Sequence, residues 1–357
     1  MKYRSFTVKN REEWDSYVNK ALLHDVFHSW TYHSLNTEGE PLLFVYHEGD
    51  IFIALPVIKR KIEGTGFYDM TSVYGYCGPV SNINAVEMPK NILMNFKTAF
   101  MSFMNEENAV CIFSRLHPFV NQCPLLENIG GVVENGTTLY MDLSSSVEDQ
   151  RSGYEKRLCR QVRQLREKGY IIKEADDISE IRAFVDIYHK NMDRLHASSQ
   201  YYFDEKYFID ILRSGGFESK LLLIYDGAVL TCGAVVLLSD TIIRNHLSAT
   251  SPDYLNESPS KLLTDEISMI GRRLGKKIFH LGGGVGGKED SLFEFKKRFS
   301  NLQIKDHIWC HINDRNAYDT IVAKAGPDID LQSSYFPLYR QPRKTKSCIS
   351  NIEAIAD

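Results

Sequence analysis

Two runs of β-branched, aromatic and leucine residues flank a glycine turn early in the chain. Leu42-Leu43-Phe44-Val45-Tyr46 passes through His47-Glu48-Gly49-Asp50 into Ile51-Phe52-Ile53-Ala54-Leu55-Pro56-Val57, the pattern of a β-hairpin. The pattern returns 179 residues later, where Leu221-Leu222-Leu223-Ile224-Tyr225 passes through Asp226-Gly227 into Ala228-Val229-Leu230-Thr231-Cys232-Gly233-Ala234-Val235-Val236. The surroundings repeat as well. Helical spacing at 12–22 precedes the first hairpin, and a strand at 67–74, a helix at 89–105 and a strand at 110–114 follow it. Helices at 178–194 and 205–213 precede the second, with a strand at 241–248, a helix at 259–274 and a strand at 277–281 after it. The chain reads as two copies of one unit.

A further strand is predicted at 138–143, and the polar run Ser144-Ser145-Ser146 after it marks either the boundary between the copies or a helix start. The expected organisation is a first domain over 1–145, a second over 146–338 and a frayed tail over 339–357. The helix predicted at 154–168 carries Leu158, Val162 and Leu165 on one stripe. Lys156, Arg157, Arg160, Arg163, Arg166 and Lys168 wrap the rest, as a solvated face or a phosphate-contacting one.

A length of 357 residues accommodates two cores, and 43% hydrophobic with 25% charged residues is a globular composition. The formal charge of -4 supplies no general positive field, so DNA is not an expected partner and any polyanion site is local. Seven scattered cysteines without metal-ligand spacing read as reduced, mostly buried thiols, and no metal is expected. Neither a signal segment nor an apolar run of spanning length is seen, which reads as a cytoplasmic protein.

The strongest local signal is His280-Leu281-Gly282-Gly283-Gly284-Val285-Gly286-Gly287-Lys288, where a strand ends in glycines and hands over to a helix capped by Asp290 or Ser291. Glu289 after Gly287-Lys288 rules out a Walker loop. Taken alone, the glycines read as a flexible loop or as a place where a ligand or another backbone approaches closely. Ser258 is a plausible N-cap, with Pro259 at the first helical position of the helix that follows.

Taken in order, Ser258-Pro259-Ser260-Lys261-Leu262-Leu263, the strand into Gly282-Gly283-Gly284, Asp290-Ser291-Leu292 and Phe295-Lys296-x-x-Phe299 resemble the C-terminal half of the Fem-like acyltransferases and related polysaccharide-cluster enzymes. Ser29-Trp30, Tyr74-Gly75-Tyr76-Cys77-Gly78-Pro79 and Tyr201-Tyr202-Phe203 extend the resemblance over about residues 25 to 300. It implies an α/β (α+β) fold of two tandem GNAT-like domains, each a mixed, mostly antiparallel sheet flanked by helices.

The resemblance makes Lys296 the candidate that stabilises charge during acyl transfer, against an ordinary basic turn with Phe295 and Phe299 packing at i, i+4. Asp290 and His246 are candidate bases, with helix capping and core packing as the plainer alternatives. Tyr74, Tyr76, Tyr202, Arg157, Gly283 and Gly284 are candidate substrate contacts. Ser258, Ser260 and Lys261 would face the phosphates of an acyl-coenzyme A. Members of the group with a cell-wall acceptor carry an acidic residue soon after Gly-Pro, whereas Gly78-Pro79 here leads into Val80-Ser81-Asn82. The activity the resemblance implies is transfer of an acyl group, an acetyl by expectation, from acyl-coenzyme A to an amino sugar, in nucleotide-linked form, for a surface polysaccharide. An aminoacyl-tRNA-dependent transferase acting on a cell-wall precursor and a non-catalytic binding protein of the same fold are the competing readings.

Overall fold

The computed structural model describes residues 3–36, 38–327 and 329–342. Among these, contacts gather into two units, one holding 3–135 with 305–342 and the other 136–304.

In the first unit the elements are β1 (Arg4–Val8), α1 (Arg11–Lys20), α2 (Trp30–Ser34), β2 (Glu40–Glu48), β3 (Ile51–Lys61), β4 (Tyr68–Thr71), β5 (Val80–Ser81), α3 (Lys90–Glu106), β6 (Ala109–Arg115) and α4 (Cys123–Leu126). β7 (Val132–Asp142) starts here and runs into the second unit. The second unit continues with α5 (Val147–Ser152), α6 (Lys156–Glu167), β8 (Ile171–Glu174), α7 (Ile178–Arg194), α8 (Glu205–Arg213), β9 (Glu218–Asp226), β10 (Val229–Leu238), β11 (Ile242–Thr250), α9 (Ser260–Arg273), β12 (Ile278–Gly282) and α10 (Ser291–Lys297). β13 (Gln303–Ile312) returns the chain to the first unit, where α11 (Arg315–Lys324) follows.

Each unit has the predicted hairpin, β2 with β3 and β9 with β10, turning at Gly49 and Gly227. Both glycines have positive φ, a conformation without penalty for them. Each unit also contains a parallel pair, β4 with β6 and β11 with β12, whose strands are joined by a long helix, α3 or α9. The tandem architecture expected from the sequence is the one observed.

The boundary differs from the expectation. β13 pairs antiparallel with β6, Cys310 opposite Phe113, so residues 305–338 belong with the first unit. Conversely, β7 pairs with β12 in the second unit, Met141 opposite Phe279. Each half thus ends its sheet on a strand that the chain supplies after the other half's last helix or loop.

The first core is aromatic, with Phe44, Phe96, Phe100, Phe103 and Trp309 all buried and Phe44 stacked on Phe103 at 4.6 Å. The second gathers Leu158, Val162 and Leu165 of α6 with Leu262, Leu263 and Ile267 of α9, Phe279 of β12 and Phe293 of α10. The start of the expected tail is not frayed. Tyr339 donates to Asp69 at 3.0 Å and the Arg340 guanidinium meets the same carboxylate at 2.5 Å. Asp69 is fully buried on β4 and also binds Arg60, so these residues neutralise a carboxylate that would otherwise be costly to enclose. Residues 343–357 lie outside the described part. Of the described cysteines, Cys77, Cys111 and Cys232 are buried free thiols and Cys159 is exposed. No helix among the described residues is long and apolar enough to cross a membrane.

Candidate functional site

The two parallel pairs end differently. β4 and β6 stay stitched past their last paired residues: Ser72 donates to the Phe113 carbonyl at 2.9 Å, Cys77 to that of Arg115 at 2.8 Å, and Cys77 bridges Leu116. β11 and β12 pair only at Ile242 with Ile278, Ile243 with Phe279 and Arg244 with His280. Beyond Arg244, β11 runs on to Thr250, whereas β12 slips register against β7 after His280 and turns at Gly282, whose φ is 82°. Among the described residues no strand pairs with 245–250 on the side that β12 leaves. Parted strands expose backbone donors and acceptors to an extended ligand.

The glycines after this divergence are required by sterics. A Cβ on Gly283 would lie 2.7 Å from the Thr137 carbonyl oxygen, and one on Gly284 would overlap an Asp290 carboxylate oxygen. A Cβ on Gly136 would run into the Gly287 carbonyl in the same way. Close approach of the chain's own backbone, one of the alternatives open in the sequence, is present here.

Asp290 is the N-cap of α10, accepting from Phe293 N at 3.0 Å, and its second oxygen accepts from Val285 N at 2.9 Å. Lys296 lies on the following turn and its ammonium donates to the Gly283 carbonyl at 2.6 Å. Phe293 and Phe299 are buried and Phe295 packs on Phe299 at 5.5 Å, which fixes the rotation of the helix and turns Lys296 toward the end of β12. Lys296, Asp290, Gly283 and Gly284 are thus brought together.

A second group forms at the start of α9. Pro259, not Ser258, occupies the N-cap position and supplies no side-chain cap. Ser258 has a φ of 55°; its carbonyl accepts from Lys261 N at 3.0 Å and its hydroxyl faces that of Ser260 at 3.5 Å. The helix start therefore keeps its positive end without a side-chain acceptor. Lys261 is only 9% exposed. Burial, then the charges of Arg298 and Arg157, lower its pKa, with Glu155 opposing them. Lys261, Arg157 and Arg298 thus interact electrostatically near this helix start, and Arg298 also pairs with Glu155 at 3.7 Å. Arg157, an expected substrate contact, belongs to this group. Arg298, which the sequence reading missed, sits two residues beyond Lys296 and links the two groups.

The remaining candidates make other contacts. His246, half-buried on β11, shares a hydrogen bond with the Tyr207 hydroxyl at 2.9 Å. Burial and then the Arg244 charge lower its pKa to about 3, far from the neutral range of an efficient general base. Tyr202, 39% exposed, donates to Asp193 at 2.8 Å and stacks on His189. Tyr74 and Tyr76 belong to the first unit. The Tyr74 carbonyl accepts from the Tyr32 hydroxyl at 2.8 Å, and Tyr76 is buried beneath the Arg115 guanidinium at 4.1 Å. Asn82, after Gly78-Pro79, spends its amide on the hairpin, accepting from Phe52 N and donating to the Asp50 carbonyl.

His280 is a core residue. The Arg244 guanidinium donates to Nδ1 at 2.5 Å, so the ring proton is on Nε2 and faces Thr138 at 2.7 Å. Beneath α9 the buried Asp265 collects Arg151 at 2.8 Å, Arg166 at 2.7 Å and the Tyr154 hydroxyl at 2.9 Å, tying α5 and α6 to α9. Arg166 and Lys168, read as members of a basic face, are thereby spent on Asp265 with Glu266 and on Glu257. Lys156, Arg157 and Arg160 remain exposed.

Two repeated mixed sheets, one with a parted parallel pair and a cationic helix start, define a tandem GNAT-like fold. Solved structures with this fold include FemX, 13% identical, covering 90% of this chain and 100% of that one at a TM-score of 0.70. L-PGS from Bacillus licheniformis is 11% identical over 87% of this chain and 95% of its own at 0.55. A tandem GNAT protein from the clavulanic acid biosynthesis pathway, solved without acetyl-coenzyme A, is 8% identical over 87% and 99% at 0.51. The sequence matches no protein-family model and no curated protein. At these identities the likeness is one of fold, the fold expected from the Fem-like motifs.

Proposed function

We propose that the protein is an N-acyltransferase in which the second unit carries the chemistry. The observation that carries this reading is the Lys296 ammonium at the end of β12, where β11 and β12 part. An acyl carbonyl lying in that opening would place its oxygen within reach of a fixed cation, which stabilises the charge that develops when an amine attacks. The new bond is nitrogen to carbonyl carbon and the bond broken is carbonyl carbon to the carrier. The amine gives up a proton and the departing group takes one.

The carrier is read as a phosphate-bearing one, held at the start of α9, which has no side-chain cap, by Lys261, Arg157 and Arg298. Acyl-coenzyme A, whose pyrophosphate would sit on that helix start, meets this description. The acceptor in this reading is an amino sugar destined for a surface polysaccharide, with Tyr202 as a candidate stacking surface. Calorimetry with acyl-coenzyme A thioesters at moderate salt tests the donor. Saturable binding that Lys261→Glu weakens about tenfold, or ~1.4 kcal/mol, is expected. Thioester binding that is absent, or indifferent to Lys261, would overturn it.

The exposed cations at the start of α6 favour a second reading, aminoacyl transfer from a tRNA, consistent with the fold shared with FemX and L-PGS. Binding of an aminoacyl-tRNA that falls steeply with salt and weakens in Arg160→Ala would select it.

A further inference from the structure

Asp290 is a candidate base by its sequence motif, yet each of its carboxylate oxygens already holds a backbone amide, and the two amides belong to different segments. One is Phe293 N inside α10, at 3.0 Å; the other is Val285 N in the glycine loop, at 2.9 Å. A single cap needs only the first. The second bond ties the loop leaving β12 to the helix that carries Lys296. Between these anchors the chain has no slack. Gly284 fits under the Asp290 carboxylate only because it lacks a Cβ, and the Lys296 ammonium closes the circuit on the Gly283 carbonyl at 2.6 Å. Lysine is a long, rotatable side chain, and holding it in one place requires that both its own helix and the carbonyl it binds be fixed.

We propose that Asp290 is a positioning residue, whose second oxygen locks the Gly282–Gly284 bend to α10 and so aims Lys296 at the mouth of the parted strands. This rests on the acyl-transfer reading for its chemical meaning, though not for its geometry. Asp290→Ser separates the two bonds, since serine caps a helix as well as aspartate but has no second oxygen for Val285 N.

The test is competitive acetylation of the full chain, with the rate at Lys296 compared by mass spectrometry with that at the exposed Lys297. In Asp290→Ser the rate at Lys296 is expected to rise to that of Lys297, with the thermal midpoint unchanged. With acetyl-coenzyme A and an amino-sugar acceptor, Asp290→Ser lowers kcat by roughly 10²-fold at constant KM, the scale of a misplaced catalytic group. Unchanged Lys296 labelling in Asp290→Ser makes Asp290 a cap and nothing more. A labelling change together with full turnover in Lys296→Ala keeps the lock and discards the role of Lys296 in the chemistry, whereas a labelling change with no turnover in the wild type keeps the lock and discards the acyl-transfer reading.

Discussion

Acidification from pH 7 to pH 5 is expected to remove about 4 kcal/mol from the stability of the first unit, through His28 and His33. Both side chains are fully enclosed. Asp25 N donates to His28 Nδ1 at 3.0 Å, and a backbone N–H can only donate, so the His28 proton is on Nε2. His33 Nδ1 faces the Ser29 carbonyl at 3.0 Å, so there the proton is on Nδ1 and Nε2 is bare. Neither Nε2 has a partner among the described residues; an added proton would sit on Nε2 without an acceptor at His33, and on Nδ1 against the Asp25 N–H at His28. Burial, with the His117 charge second, lowers the His28 pKa to about 3; burial alone dominates at His33, lowered to about 4.

The sign follows from the unfolded chain, which takes up these protons near 6.5 while the folded chain refuses them. The contribution is complete above pH 6.5 and is lost as pH falls toward 4 and then 3. Between pH 7 and 5 the loss is ~2 kcal/mol per histidine, a large share of a typical 5–15 kcal/mol. The chain's three tryptophans, Trp14, Trp30 and Trp309, all lie in the first unit, and Trp14 packs on His33 at 5.0 Å. Urea unfolding followed by tryptophan emission therefore reads that unit selectively. At roughly 2 kcal/mol per molar urea, the midpoint should drop by about 2 M between the two pH values. His33→Gln, which does not titrate, should remove about half of that drop. A midpoint in His33→Gln as pH-sensitive as in wild type would refute the reasoning.

Asp265→Ala strands Arg151, Arg166 and Tyr154 and is expected to cost the second unit about 3 kcal/mol, seen as a lower thermal midpoint by far-ultraviolet circular dichroism while tryptophan emission is little affected. Gly283→Ala meets the Thr137 carbonyl and should destabilise the same unit by ~1–3 kcal/mol, read the same way. Asp69→Asn, by leaving the Arg60 and Arg340 guanidiniums with a neutral partner, should lower the first unit's urea midpoint and speed proteolysis around residue 340.

Much of the architecture was legible because local pattern and burial agreed. Both hairpins, the amphipathic stripe of α6 and the Asp290 cap could be read from spacing. β13 was not, because its buried positions, Asp306 and Trp309, are three apart and break the alternation of a strand. Its partner, β6, lies almost two hundred residues earlier, a distance no local pattern spans. The cap of α9 was misread because Ser258 takes a left-handed backbone conformation that its residue type does not announce. The burial of Lys261 was not legible, since it depends on which turn of α9 faces the core. Lys296 was legible only through the Fem-like motif; what its neighbours do with it required the coordinates.

The exchange of β7 and β13 sets an order of assembly during synthesis. The second unit is continuous in the chain and can close as soon as Ile304 has left the ribosome. The first unit, although made earlier, must wait with the edge of β6 open and the Trp309 position in its core unfilled until β13 emerges. At ~5–20 residues per second, the stretch separating β6 from β13 imposes a delay on the order of ten seconds. The older half of the molecule is thus completed last, and a chain released early would carry a finished second unit beside a sticky, unfinished first.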